Sequence, residues 1–250
     1  MHKIFANSLF VGKILKILPH CHSTNLVAAE MIQLGNVAEG ALVYTDNQSN
    51  GRGQRGNIWE SEPGMNLTFS LVLRPNFMDI KDQFNLNIMA SVAITRMLKK
   101  EISGGVTVKW PNDIYVRDFK IAGILIENSV RSRKIEHSIV GIGLNVNQHK
   151  FKTPKATSMK ELTLKHYDLL EVLEKTAIHL EKAYLDLRDS QSLIKMEYLN
   201  NMYWMEEPHL FKDSEVFIGR IKGIDPQGKL LVQRGDQEFA YDIKEVEFLE

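Results

Sequence analysis

A chain of 250 residues is long enough to bury a core without disulfides or metals. Its 44% hydrophobic and 25% charged residues are ordinary for a globular protein and argue against disorder. The formal net charge of +0 argues against a general nucleic-acid-binding surface or a strongly membrane-attracted one.

The amino terminus and the cysteine content give expectations about the compartment. The apolar runs of residues 1–18 are too short and too interrupted for a signal peptide or a membrane span. The single cysteine, Cys21, excludes an intrachain disulfide and cysteine-based metal clusters. Both features suit a reducing compartment, so we expect a cytoplasmic protein.

The first part of the chain predicts mixed helices and strands. Ser23-Thr24-Asn25 are polar caps that precede a short helix ending at Gly35. A buried strand at 41–45 is followed by a long polar loop, residues 46–64, and loops of that length are usually functional or disordered. The elements expected next are a strand at 67–73, an amphipathic helix from Ile80 to about Glu101, and strands at 106–110, 114–116, 119–127 and 135–146.

The last 100 residues change character twice. Residues 149–163 are polar and loop-like, and apolar residues from Leu170 to Leu187 then fall on one helical face, which is typical of core packing. Short strands at 216–218, 219–224, 230–232 and 239–243 surround an Asp225-Pro226-Gln227-Gly228 turn near the end of the chain. The sequence therefore predicts two domains, a main one at 1–205 and a small all-β one at 206–250.

The polar loop contains Gly51-Arg52-Gly53-Gln54-Arg55-Gly56-Asn57-Ile58-Trp59, which we call the glycine–arginine loop. Its glycines let the backbone bend around a ligand and offer N–H groups to an anion. Its two arginines can add bidentate contacts to phosphate or carboxylate. A flexible surface loop or an RNA-binding stretch would have similar content, but Trp59 and the flanking strands favour an ordered ligand loop.

Three further segments carry candidate chemistry. In Lys109-Trp110-Pro111-Asn112-Asp113, polar groups among buried strands need partners, although a simple turn is the alternative. Lys120 begins an apolar strand, where a lysine usually reaches out to solvent. In residues 141–147, two glycines clear space and Asn145 offers an amide that can bind a nucleotide.

In this order, the segments resemble those of the biotin–protein ligases. The matching pieces are Ser23–Asn25, Gln48, the glycine–arginine loop, Lys109–Asp113, Lys120–Glu127, Gly141–Asn147 and the turn in the small β domain. The resemblance covers roughly residues 20–235. It implies an α+β fold, in which a mixed sheet flanked by helices carries a small C-terminal SH3-like β-barrel.

The resemblance also implies an activity. The protein would activate biotin with ATP as biotinyl-5′-AMP, with Mg²⁺ accompanying the nucleotide, and would transfer biotin to a lysine of a carboxylase's biotin-carrier domain. The implied catalytic residues are Lys120, Arg52 and Asp113. The implied biotin-binding residues are Ser23, Thr24, Asn25, Gln48, Gly51, Arg52, Gly53, Gln54, Lys120 and Gly123. The implied ATP- and adenylate-binding residues are Arg55, Trp59, Lys109, Asn112 and Asn145.

Two features depart from the family pattern. Members commonly carry arginine at the fourth position of the glycine–arginine loop, where this chain has Gln54. A neutral amide can hydrogen-bond a phosphate but adds no charge, so the loop would hold the adenylate with one cation fewer than the family pattern provides. Only about 20 residues precede Ser23. Because regulatory members carry an amino-terminal helix-turn-helix domain there, we do not expect DNA binding or transcriptional repression.

Other interpretations stay open at this stage. A lipoate or octanoate ligase would share the catalytic architecture, and a biotin-adenylate-binding module would lack catalysis. The adjacent His20-Cys21-His22 has poor spacing for zinc, so we predict no resident metal site. Edge-to-edge pairing of the main sheets would give a homodimer, but no sequence feature decides the oligomeric state.

Overall fold

The computed structural model describes residue 5, residues 7–35 and residues 37–249. This part of the chain contains two β-sheets and five α-helices. The larger sheet has seven strands in the order β1-β2-β3-β7-β6-β5-β4. Its first pair, β1 and β2, is parallel, and the other neighbours are antiparallel. Its strands are β1 Leu15–Leu18, β2 Leu42–Thr45, β3 Leu67–Leu73, β4 Val106–Lys109, β5 Asp113–Val116, β6 Phe119–Arg131 and β7 Lys134–Leu144.

Helices cover the two faces of this sheet. They are α1 Thr24–Gln33, α2 Phe84–Glu101, α3 Met159–Thr163, α4 Leu169–Asp189 and α5 Gln191–Asn200. Helix α1 packs on β2, β3 and β7, whereas α2, α4 and α5 pack together on the opposite face. Alternate residues of β2 and β3 therefore point to opposite faces of the sheet. Val43 and Val72 face α1, while Leu42 and Leu71 belong to the main core. Strands β2 and β3 are buried along their whole length, as expected when both faces are covered.

The smaller sheet is antiparallel in the order β11-β10-β9-β8-β12. Its strands are β8 Pro208–Lys212, β9 Val216–Ile224, β10 Leu230–Arg234, β11 Gln237–Tyr241 and β12 Glu247–Phe248. The turn before β10 touches the larger sheet's layer, because the Trp110 Nε1–H donates to the Gly228 carbonyl at 2.8 Å. Gly228 has a φ of 88°, and an added Cβ would lie 2.1 Å from Phe84 Cγ, so this contact requires glycine.

The expected α+β class and the mixed sheet are confirmed, and the second antiparallel sheet is consistent with an SH3-like domain. The expected loop at 149–163 is wrong at its end, where Ser158 caps α3 by accepting from the Glu161 N–H. The two strands expected at 216–218 and 219–224 are one strand, β9. The boundary at residue 205 stays a prediction.

The sequence analysis also missed elements that have little pattern of their own. Helix α5 buries only Ile194 and Tyr198, so its apolar periodicity is weak. Strands β1, β8 and β12 are short and lie at or near sheet edges. Among the described residues, no helix is long and apolar enough to cross a membrane.

A buried carboxylate ties the start of the chain to α4. Glu181 is 5% exposed and accepts from the backbone N–H groups of Leu9, Phe10 and Val11 at 2.7–2.9 Å. Hydrogen bonds to a charged acceptor are stronger than neutral ones, and buried N–H groups are costly to leave unpaired. Glu181 therefore fixes residues 9–11 against the helical layer.

We predict that Glu181→Gln lowers the free energy of unfolding by about 2 kcal/mol, because the amide removes the charge and turns an NH₂ group toward N–H donors. Urea unfolding measures the change. The control is Glu238→Gln on β11, where the side chain is exposed, and it should stay near wild type. Equal stabilities for the two variants would contradict this role of Glu181.

Candidate active site

A cavity of about 430 Å³ opens between the larger sheet, the glycine–arginine loop and the end of the smaller sheet. Strands β3, β6 and β7 form its floor, through Thr68, Phe69, Lys120, Gly123–Leu125 and Gly141–Gly143. The glycine–arginine loop forms one side. Residues from the end of the chain, Ile243, Lys244, Val246 and Phe248, form part of the opposite side.

One wall of the cavity is a neutral hydrogen-bonding surface at the start of α1. The Thr24 N–H donates to Gln48 Oε1 at 2.9 Å, and the Thr24 hydroxyl lies 3.3 Å from the same oxygen. Residues 21 and 48 form a parallel bridge, which brings these two distant segments together. Ser23 and Thr24 are each 4% exposed, so their polar groups are held in a largely dry wall. This set can recognise an uncharged polar ligand group.

Asn25 lines the cavity, but protein partners already bind its amide. Its Oδ1 accepts from the Ser70 hydroxyl at 2.6 Å, and its Nδ2 donates to Glu127 Oε2 at 2.6 Å. The amide lies on the bare backbone of β7, because a Cβ on Gly141 would be 2.4 Å from Asn25 Oδ1. A glycine at 141 is therefore required for Asn25 to hold this position.

Trp59 covers the next glycine of the same strand. A Cβ on Gly143 would lie 2.2 Å from Trp59 Cε2, and one on Gly123 would lie 3.1 Å from Cζ3. The indole Nε1 is buried and has no hydrogen-bond partner among the described residues. A ligand oxygen could accept from this N–H, since an unpaired buried donor is costly.

A lysine and a carboxylate lie on the cavity floor. Lys120 Nζ is 2.7 Å from Asp113 Oδ2, and each side chain is 27% exposed. The ammonium also lies 5.7 Å from the centre of the Trp59 ring, within cation–π range. Because Asp113 begins β5 and Lys120 lies near the start of β6, the turn at 117–118 is what brings the pair together.

A strap of chain, residues 152–157, holds this floor from outside. The Lys120 N–H donates to the Lys155 carbonyl at 2.7 Å, and the Thr157 N–H donates to the Lys120 carbonyl at 2.9 Å. The carboxylate of Glu60 accepts from the N–H groups of Lys152 and Thr153. Although burial alone would raise the pKa of Glu60, these hydrogen bonds hold it below its ordinary value. The strap thus links the end of the glycine–arginine loop to Lys120.

The glycine–arginine loop is a small hairpin. The Trp59 N–H donates to the Gly51 carbonyl at 2.9 Å, and the Gly53 N–H donates to the Asn57 carbonyl at 2.7 Å. Gln54–Gly56 form one 3₁₀ turn at its tip. Arg52 Nη2 is 3.3 Å from Glu127 Oε2, while its buried Nε has no partner among the described residues. The side chain of Arg55 lies outside the part of the chain that the structure describes.

The far end of the cavity is aromatic and basic. Lys109 Nζ lies 4.9 Å from the centre of the Tyr115 ring and 5.0 Å from that of Phe248. Asn112 is fixed at this end by two hydrogen bonds to Ile124. Its side-chain amide donates to the Ile124 carbonyl, and its main-chain carbonyl accepts from the Ile124 N–H. An aromatic and cationic surface of this kind can stack a base and attract phosphate.

Most residues singled out from the sequence line this one cavity. They are Ser23, Thr24, Asn25, Gln48, Arg52, Gly53, Gln54, Trp59, Lys109, Asn112, Asp113, Lys120 and Gly123. Two do not line it. Gly51 lies behind Gln48 and Trp59, and Asn145 is 3% exposed and donates to the Thr157 carbonyl at 3.0 Å. Their ligand roles stay predictions.

The sequence analysis missed part of the lining. Thr68 and Phe69 belong to β3, which is buried along its whole length, and no sequence pattern marks the residues of this strand that face the cavity. Ile243, Lys244 and Val246 carry no local motif, and only the folded position of the smaller sheet brings them to the cavity. No group of three or more His, Cys, Asp or Glu side chains that could hold a metal occurs among residues 5, 7–35 and 37–249.

With this geometry in place, comparison with known proteins defines the class. Residues 18–145 match the model of the biotin/lipoate A/B protein ligase family. The matched segment holds the neutral wall, the glycine–arginine loop and the Lys120–Asp113 pair. The chain belongs to this family.

Individual relatives agree with that assignment. The bifunctional ligase/repressor BirA of Bacillus spizizenii is 30% identical over 219 residues, which are 84% of this chain and 66% of that protein. This chain therefore spans about two thirds of that relative's length. The biotin--[acetyl-CoA-carboxylase] ligase of Mycobacterium tuberculosis is 24% identical over 88% of this chain and 84% of its own.

Solved structures extend the comparison to the fold. The biotin protein ligase from Aquifex aeolicus in complex with biotin and ATP superposes with a TM-score of 0.77 and 26% identity. The match covers 94% of this chain and 98% of that one, so it includes both sheets.

We predict that Gly143→Ala displaces the Trp59 indole, because the methyl group would overlap the ring on a buried strand. The tryptophan fluorescence maximum should shift to the red as the ring becomes exposed. Ser138→Ala, on the same strand and outside the cavity lining, serves as the control. An unchanged spectrum for Gly143→Ala would show that the indole does not rest on β7.

Proposed function

We propose that this protein is an ATP-dependent biotin–protein ligase, which makes biotinyl-5′-AMP and transfers biotin to a lysine of a carrier domain. One observation carries the proposal: one cavity is lined both by a neutral hydrogen-bonding wall at α1 and by the cations Lys120 and Arg52. Biotin has groups that match both, an uncharged ureido head and a carboxylate, joined by an apolar chain. The family and the relatives named above support the same activity.

The head of biotin fits the wall at α1. Its ureido group offers one carbonyl acceptor and two N–H donors, and the wall offers hydroxyl and amide groups from Ser23, Thr24 and Gln48. Because Asn25 is held by Ser70 and Glu127, we assign it to positioning this wall. The indole of Trp59 and the ring of Phe69 give an apolar surface for the ring system and the chain.

In the first half-reaction, the biotin carboxylate attacks the α-phosphorus of ATP. A bond forms between a carboxylate oxygen and that phosphorus, the bond to the bridging oxygen breaks, and pyrophosphate leaves with the electron pair. Negative charge gathers on the phosphoryl oxygens, and Lys120 and Arg52 stabilise it in a site with little water. The nucleotide would lie toward Trp59, Lys109 and Asn112.

Mg²⁺ would enter as part of the MgATP substrate. Mg²⁺ that accompanies a nucleotide is held mainly by phosphate oxygens and water with one or two carboxylates. Asp113 is the cavity carboxylate that fits this need, and a resident protein-built site is not required.

In the second half-reaction, the amine of the acceptor lysine attacks the carbonyl carbon of the mixed anhydride. An amide bond forms, AMP leaves, and the amine gives up a proton. Asp113 is our candidate for orienting the amine or taking this proton. The glycine–arginine loop shields the anhydride from water, which would otherwise hydrolyse it.

The activity gives the partner, and the composition of the chain gives the compartment. The acceptor is the biotin-carrier domain of a carboxylase, and we place the protein in the cytoplasm, as the single cysteine suggests. We propose no DNA or membrane partner, given the neutral net charge. Assembly as a homodimer stays a prediction.

The alternative within the family is a lipoate or octanoate ligase. Exchange of labelled pyrophosphate into ATP tests this directly, with biotin, lipoate and octanoate offered separately. We expect exchange with biotin alone, because the straight or dithiolane acids cannot hydrogen-bond the hydroxyl and amide groups that Ser23 and Gln48 present to the cavity. Exchange driven by lipoate or octanoate but not by biotin would overturn the assignment.

The neutral residue in the glycine–arginine loop gives a second test. Gln54 lines the cavity where an arginine is common in the family, so the loop holds the adenylate with less charge. We predict that Gln54→Arg slows release of preformed biotinyl-5′-AMP, by up to about tenfold for one added charge-assisted contact. Gln54→Glu should speed release. Equal release rates for wild type and Gln54→Arg would show that the other groups of the loop suffice.

A further inference from the structure

Both cations proposed to meet the anion are paired with a carboxylate of the protein. Lys120 is paired with Asp113 at 2.7 Å, and Arg52 is paired with Glu127 at 3.3 Å. Each anionic ligand group must therefore displace or share a resident carboxylate. The mechanism above gives Asp113 a role, but it gives none to Glu127.

Glu127 lies behind the glycine–arginine loop. A second groove of about 470 Å³ is lined there by Leu125 and Glu127 on one side and by loop residues on the other. Arg52 lines both this groove and the main cavity, whereas Glu127 lines the groove alone. The guanidinium can therefore bind a partner on either side of the loop.

The two hydrogen bonds to Glu127 differ in length. Its Oε2 accepts from Asn25 Nδ2 at 2.6 Å and from Arg52 Nη2 at 3.3 Å. Asn25 is itself buried and held by Ser70, so the Asn25–Glu127 contact is fixed to the wall. Arg52 and Glu127 are 37% and 41% exposed, and ion pairs with such exposure are weak. The contact to Arg52 is therefore the one that a ligand can break.

We propose that Glu127 is a positioning residue that holds Arg52 on the groove side of the loop until the carboxylate of the acid draws it into the cavity. The inference rests on the proposed function and extends it. Arg52 exchanges one carboxylate for another, so an acid gains an ion pair while a neutral molecule of the same shape gains none. Glu127 thereby balances the charge of Arg52 and makes Arg52 available only to an anion.

Glu127→Gln separates the charge of this residue from its shape. The amide oxygen can still accept from Asn25, while the competing negative charge is gone. Binding of biotin and of its primary alcohol, in which –CH₂OH replaces the carboxylate, is measured by calorimetry at low salt. Glu136→Gln is the matched control, because Glu136 also pairs with an arginine at 3.5 Å and lies at the far end of β7.

We expect Glu127→Gln to bind biotin about three- to fivefold more tightly, which is the range open to a half-exposed ion pair. The affinity for the alcohol should not change, and the gain for biotin should shrink in high salt. Glu136→Gln should match wild type with both ligands.

Other outcomes overturn the inference in distinguishable ways. Weaker binding of biotin would mean that Glu127 aims Arg52 at the ligand. An equal change for biotin and the alcohol would mean that Glu127 acts only through Asn25 and the wall. If wild type bound neither ligand, the proposed function itself would fail, and this inference with it.

Discussion

Two positions on β7 without side chains govern the geometry of the site. Asn25 lies on the bare backbone at Gly141, and Trp59 lies on that at Gly143, each closer than a Cβ would allow. The first contact fixes the start of α1, and the second fixes the end of the glycine–arginine loop. Because both glycines belong to the central strand of the larger sheet, the wall and the loop are held against a strand that is paired on both sides.

The charges of the site follow from this placement. With the loop seated on β7, Arg52 reaches Glu127 on one side, and the Trp59 ring lies beside Lys120 on the other. Both cations have carboxylate partners, so their charges are compensated within the protein. Such an arrangement lowers the cost of keeping cations in a partly buried site before substrate arrives. It also means that binding an anion is an exchange of partners.

Much of this was open to prediction from the sequence. The glycines at 141 and 143 indicated close approach on a strand, and the loop composition indicated an anion site. Lys120 alone was ambiguous, since a lysine at a strand start usually faces solvent. Only the neighbouring segments of the family pattern indicated a catalytic role for it. The resemblance placed Asn25 among the ligand contacts, while the structure shows its amide engaged by Ser70 and Glu127.

What the sequence could not supply is information held in tertiary contacts. The chain end at 243–248 reaches the cavity only because the smaller sheet docks on α2 and Trp110, and no local pattern encodes that docking. Glu127 ends an apolar run, and the sequence alone gives it no role. Its role depends on two partners far away in sequence.

We propose that one cavity both activates biotin and passes it to a protein lysine. The most direct measurement is mass spectrometry of a purified biotin-carrier domain after incubation with this protein, biotin and MgATP. We predict that one lysine of the carrier gains a single biotinyl group, and that omitting ATP prevents it. An unmodified carrier, or modification that proceeds without ATP, would contradict the account.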